Sequence, residues 1–195
     1  MENQKITKKY KILLMGEYRN LFIRGAFPSL KKRKNKEYKK SIHYNNNIIE
    51  LSIIDIDEPS LIENQINLNN NIRLDGIIAL FVIDATDDNT IIEINSIIED
   101  IKSKYSNKDI FINEYILLGI IPKTFHVEQN ILDSKEDCMP LLVFHKLAEK
   151  QKCFCYDMDE SEEEIDYNIF FVNYAMFFWL EFDKIYSNEE LKEMI

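Results

Sequence analysis

Apolar runs of strand length recur along the chain at residues 10–15, 48–54, 77–83 and 115–121. Three of these runs are almost uninterrupted, the pattern of parallel strands covered on both faces. Asn45-Asn46-Asn47 separates Glu37–Tyr44 from the second run and reads as a hairpin turn, which predicts one antiparallel pair early in the chain. Residues 153–156 fit a sixth, short strand. Between strands the period changes. Ile91, Ile94, Ile98, Ile101 and Tyr105 fall at three- and four-residue steps and predict a helix with one apolar face, with Thr90 and Glu93 as its capping box. Residues 141–151 read as another helix and 164–186 as a long final one, with Ser187 and Glu190 able to cap a last short turn. A helix is also expected between the first strand and the hairpin. Such alternation implies an α/β layer fold built as one domain over residues 1–195.

Composition narrows the function. The 195 residues are 46% hydrophobic and 30% charged, which suits a folded chain. Acidic residues outnumber basic ones by 34 to 24, so binding to nucleic acid is not expected. Three irregularly spaced cysteines suit a reducing, intracellular setting, with cytoplasm and nucleus equally open. No apolar run reaches the roughly 20 residues that span a bilayer. Glu2 and a last cysteine at Cys155 leave no lipid-attachment motif, so no membrane anchor is expected. Only four glycines occur, few for a chain that must wrap backbone closely around phosphate.

Directly after the first strand the chain reads Gly16-Glu17-Tyr18-Arg19-Asn20-Leu21-Phe22-Ile23. This is the frame of the phosphate-binding loop G-x-x-x-x-G-K-[ST] without its chemistry. Leu21 stands for the second glycine, Phe22 for the lysine and Ile23 for the magnesium-binding hydroxyl. The loop works by closing successive N–H groups around phosphate while the lysine neutralises it, and Phe22 does neither. In element order, and in the stretches 75–87 and 147–154, the chain resembles the Ras-like small GTPases along nearly its whole length. The resemblance implies a three-layer sandwich with a six-stranded, mostly parallel sheet and one antiparallel hairpin strand. It also implies where the family's other motifs should fall. Asp55 is kept, but Glu58 takes the place of the phosphate-sensing glycine. Ile120-Ile121-Pro122-Lys123 replaces the guanine-selecting Asn-Lys-x-Asp, and Met158-Asp159-Glu160 falls on the Ser-Ala-Lys element. Ser41 is the nearest hydroxyl to the expected switch threonine. Among degenerate relatives, the texture around 146–157 is similar to the kinetochore family typified by centromere protein M.

The final helix carries the strongest candidate surface. Ile165, Ile169, Val172, Met176 and Leu180 share one face suited to a sheet. Phe171, Tyr174, Phe178 and Phe182 gather on the other side, where a partner protein is the natural cover. The competing cover is the tail 187–195 folding back over it. The basic run 31–40 is read as a solvated loop, with an acidic partner or nuclear import as alternatives. Cys153, Cys155 and His145 match no zinc spacing and are read as buried thiols beside a histidine; His43 and His126 are read as surface residues. The acidic run 157–164 is read as a solvated approach to the final helix.

The leading expectation is a pseudo-GTPase: a non-catalytic subunit that uses the fold as a binding surface in a larger complex. It is expected to have no catalytic residue, metal, cofactor or small-molecule substrate. A divergent switch is the alternative, with Arg19 or Arg24 replacing the lysine and Asp55 holding magnesium through water. A phospho-acceptor receiver domain would use Asp55 and Lys123, but Gly16-Glu17 supplies only one of the two acids it needs.

Overall fold

In a computed structural model the described residues are 7–27, 37–44, 47–67, 74–105, 112–125 and 139–160. Six strands form one sheet: β1 (Thr7–Met15), β2 (Glu37–Tyr44), β3 (Asn47–Asp55), β4 (Gly76–Asp84), β5 (Glu114–Ile121) and β6 (Phe154–Asp159). Their order is β2-β3-β1-β4-β5-β6, and only the β2–β3 pair is antiparallel. The interior strands are apolar because both of their faces are covered. In β4 every residue from Gly76 to Ile83 is buried.

Strand alternation divides this apolar surface into two layers. Tyr10, Ile12 and Leu14 face one side, where α1 (Arg19–Ala26) packs through Phe22 and Ala26. Leu13 and Met15 face the other, under α2 (Ile62–Asn67), α3 (Asp88–Tyr105) and α4 (Met139–Gln151). The result is the Ras-like three-layer sandwich, and its antiparallel β2–β3 pair does not suit a receiver domain. Each fully buried Ile, Leu or Phe in these layers contributes roughly 1.5–3 kcal/mol. No helix among the described residues is long and apolar enough to cross a membrane.

Two helix ends show how local chemistry sets boundaries. Asp87, not Thr90, caps α3. One carboxylate oxygen of Asp87 accepts from the Asn89 amide at 3.1 Å, and the other accepts from the Thr90 hydroxyl at 2.7 Å and its amide at 3.4 Å. Thr90 therefore lies inside the helix, which begins at Asp88. At the end of α4, Lys152 takes a left-handed φ of 51°, and the Cys153 amide returns to the Ala148 carbonyl at 2.9 Å. Between α3 and α4, the buried Gln151 donates to Asn95 at 2.8 Å and to Glu99 at 3.1 Å, while Lys102 donates to its side-chain oxygen at 3.2 Å. Satisfied in this way, a polar group inside the layer fixes one helix against the other.

Candidate functional site

In sheets of this kind ligands bind beyond the carboxyl ends of the strands, where successive connections leave on opposite faces. Here that point lies beyond β1, between β3 and β4. α1 departs to one face after β1, and α2 to the other after β3. The degenerate phosphate loop therefore occupies the position where nucleotide chemistry is expected.

Gly16 has kept its role for a reason that needs no ligand. Its φ is +100°, and a Cβ there would lie 2.2 Å from the Val82 carbonyl oxygen of β4. Only glycine permits β1 to turn so close to its neighbour. The Tyr18 amide then donates to that same carbonyl at 3.1 Å.

The rest of the segment is helix. α1 starts at Arg19, and the Phe22 amide donates to the Tyr18 carbonyl at 3.1 Å. Leu21 and Ile23 pack against the apolar layer, and Phe22 is wholly buried in it. An amide bonded inside a helix cannot also close around a phosphate. With Leu21 and Phe22 at these positions, the segment forms a packed first turn rather than an open cradle.

Arg19 completes the closure. Its guanidinium donates from Nε to Asp55 at 2.9 Å, from Nη2 to Asp57 at 2.7 Å and from Nη1 to the Gly16 carbonyl at 3.0 Å. The planar fork of arginine suits such a three-way bridge. The Asp55 side chain is 8% exposed and that of Arg19 22%, so the pair is partly withdrawn from water. Burial alone would lower the Arg19 pKa, but the hydrogen bonds and charges of Asp57 and Asp55 outweigh it and hold it above its ordinary value. A cavity of about 200 Å³ remains beside Gly16, Glu17, Arg19, Asp57 and Thr90. That is below the usual 300–1,000 Å³ of ligand sites.

Acid surrounds this remnant. Glu17 accepts from the Asp84 amide at 3.0 Å, and Asp84 in turn accepts from the Thr86 hydroxyl at 2.6 Å and its amide at 2.8 Å. Burial, followed by the charges of Asp84, Glu160 and Glu17, raises the Tyr18 phenol above its ordinary value.

The opposite end of the expected nucleotide site is stitched shut by backbone. The Glu160 amide donates to the Ile121 carbonyl at 2.9 Å, and the Lys123 amide donates to the Glu160 carboxylate at 3.4 Å. Ile120, Ile121 and Pro122 are buried and Lys123 is exposed. No carboxylate projects from this turn at the guanine-selecting position.

The structure brings together Gly16, Arg19 and Asp55 from the sequence reading, and it disperses others. Arg24 is exposed five residues farther along α1, about 7.5 Å at the helical rise. Ser41 pairs with Glu50 inside β2–β3, five residues before Asp55 and so about 17 Å from that end of the sheet. Glu58 does not line the cavity; it accepts from Ser60 at 3.3 Å and opens the 3-10 turn Pro59–Leu61 that leads into α2. The repulsion expected of Glu58 falls instead to Asp57, which the motif comparison passed over. Its signal was an acid two residues after a strand-ending acid, opposite an arginine.

Phe171, Tyr174, Phe178 and Phe182, and with them the whole stretch 164–186, lie outside the described residues, as do 31–36 and His126. Glu37 to Lys40 belong to β2 rather than to a loop. His43 is exposed on β2. The Cys155 thiol lies 3.3 Å from His145 Nδ1, and burial raises the Cys153 and Cys155 thiols to about 11 and about 12. Burial of this kind favours the thiol over the thiolate. Among the described residues no group of three or more His, Cys, Asp or Glu side chains is placed to hold a metal. No protein-family model matches the chain, and no curated protein matches it.

Proposed function

We propose that this chain is a pseudo-GTPase, a non-catalytic subunit that lends a Ras-like domain to a larger protein assembly as a rigid binding surface. The Arg19 bridge to Gly16, Asp55 and Asp57 supports this reading most strongly, because an internal ion pair takes the place of the phosphates. A GTPase switches by ordering loops around a terminal phosphate. Here the corresponding connections are tied to one another without it. The resemblance to the centromere protein M family makes a kinetochore assembly one such complex.

The partner surface proposed is the aromatic face Phe171, Tyr174, Phe178 and Phe182, on the strength of its spacing in the sequence. The test is to replace Phe178 by Glu and compare the monomeric fold and the partners that co-purify. Retained fold with lost association is the expected result. Unchanged association would remove this face from the proposal.

The alternative, a divergent switch, draws support from the meeting of Arg19 and Asp55 beside a small cavity. It requires nucleotide to displace both carboxylates from the guanidinium. Binding of magnesium and GDP by wild type, lost in Arg19→Ala, would establish it in place of the pseudo-GTPase.

A further inference from the structure

The sheet has two outer strands, β2 and β6, and among the described residues no further strand lies beside either of them. An outer strand presents main-chain N–H and C=O groups along one side, which makes it a template for another strand. The two edges differ in charge. β2 carries Lys39 and Lys40 against one carboxylate, Glu37, and its Lys39, Ser41 and His43 are exposed. β6 carries Asp157 and Asp159 and no cation, and its Asp157 is exposed. The sequence continues each sign outward. Five of the six residues 31–36 before β2 are basic, and four of the five residues 160–164 after β6 are acidic.

Strand direction and side-chain alternation allow these edges to meet. β3, β1, β4, β5 and β6 run one way and β2 the other. A second copy set beside the first without inversion therefore brings its β2 antiparallel to the first copy's β6. The faces agree as well. Tyr38 and Ile42 of β2 and Phe154, Tyr156 and Met158 of β6 turn to the α1 layer, so Lys39, Ser41, Asp157 and Asp159 share the opposite face. One register sets Lys39 opposite Asp159 and diagonal to Asp157, with Ser41 opposite Asp157 and Ile42 opposite Tyr156. A shift that sets Lys39 against Asp157 instead also sets Glu37 against Asp159, a repulsive pair. Asp157 lies 3.8 Å from His145 and keeps that contact in the favoured register, since a carboxylate accepts from more than one donor.

We infer that β2 of one copy of this chain docks on β6 of another and extends the sheet across the two. Main-chain hydrogen bonds hold the strands together. The opposite charges select this pairing over β2 on β2 or β6 on β6, each of which sets like charges side by side. A net charge of -10 resists association of copies in general, and this pair of edges supplies a local complement. The contact is heterologous, so it repeats from copy to copy instead of closing as a two-fold dimer. It uses neither the loop at Gly16 and Arg19 nor the aromatic face around Phe178, and so stands apart from the pseudo-GTPase reading.

A lysine on an edge strand also serves as a guard against pairing, and the experiment separates the two roles. The test is sedimentation velocity of the full chain over a concentration series, for wild type, Lys39→Glu and Asp157→Lys, both substitutions being at exposed positions. The weight-average mass of wild type is expected to rise with concentration. Each variant alone should associate about tenfold more weakly, and an equimolar mixture of the two should regain wild-type association, because the two reversed edges then complement each other. A wild type that stays monomeric throughout, the result that guard lysines alone would give, overturns the proposal. So does association left unchanged in either variant, or a weakening in both that mixing does not repair.

Discussion

The two ends of β1 treat charge in opposite ways. At its carboxyl end, Arg19 is consumed by Asp55, Asp57 and the Gly16 carbonyl, and only about 200 Å³ is left. Along its amino half, Lys9, Lys11, Lys39 and Lys40 border a cavity of about 410 Å³ together with Glu37 and Glu50. The first end has the address of a ligand site but spends its polar groups internally. The second has no motif; there Lys9 is paired with Glu50 and Lys11 is buried in the middle of β1, with desolvation lowering its pKa. Position in a fold follows from the topology, whereas the chemistry at that position depends on the side chains that occupy it and on what they pair with.

The comparison is most easily broken at Phe22, which sits where the loop lysine belongs yet is fully buried beneath α1. Phe22→Ala is expected to cost about 3–5 kcal/mol in chemical denaturation, the usual range for a core phenylalanine. Phe22→Lys should unfold the domain rather than confer nucleotide binding. Arg19→Ala comes next. It leaves Asp55 withdrawn from water without its partner, and about 2–4 kcal/mol should be lost in the same measurement. A loss below 0.5 kcal/mol, the range of ordinary surface substitutions, would mean that the bridge does not hold the loop shut.

At the other end the sign reverses. Lys11 has its folded-state pKa lowered, so the unfolded chain binds more protons between the folded and unfolded values. The penalty on folding is complete at neutral pH and is relieved as pH rises through the folded pKa toward 10.5. Lys11→Met should therefore gain stability at pH 7 and flatten the alkaline rise in stability expected of wild type. Urea midpoints at pH 7 and 10 measure both. The smallest effect is expected at a site that belongs to neither end: Lys152→Gly relieves the left-handed φ after α4 and should add about 0.5–1 kcal/mol.

The central strands were readable because burial on both faces leaves few polar residues, and β2 because the asparagine turn after it marks a hairpin. The run 77–83 is β4 to within one residue at each side, and Glu37–Tyr44 is β2 as expected. Helix starts were less readable, because Asp87, Asn89 and Thr90 are all capping residues and the choice depends on where the chain leaves β4. That Leu21, Phe22 and Ile23 do not carry phosphate-loop chemistry was plain in the sequence. What fills the site was not. Arg19 meets partners 36 and 38 positions away, and only the parallel β1–β3 register brings them together. The Lys11 cavity was hidden for a related reason. Its alternation of Lys9-Lys11, Glu37-Lys39-Ser41 and Glu50-Ser52 is in the sequence, but it becomes one surface only when three strands align.

The central claim is that the loop at Gly16 is closed against nucleotide, and a thermal-shift titration with GTP, GDP and ATP in magnesium tests it most directly. A ligand at 100 times its dissociation constant adds about 2.7 kcal/mol to the folded state, which raises the melting temperature visibly. No shift with any of the three is the predicted result. A guanine-selective rise that disappears in Arg19→Ala would contradict it and restore the chain to the working switches.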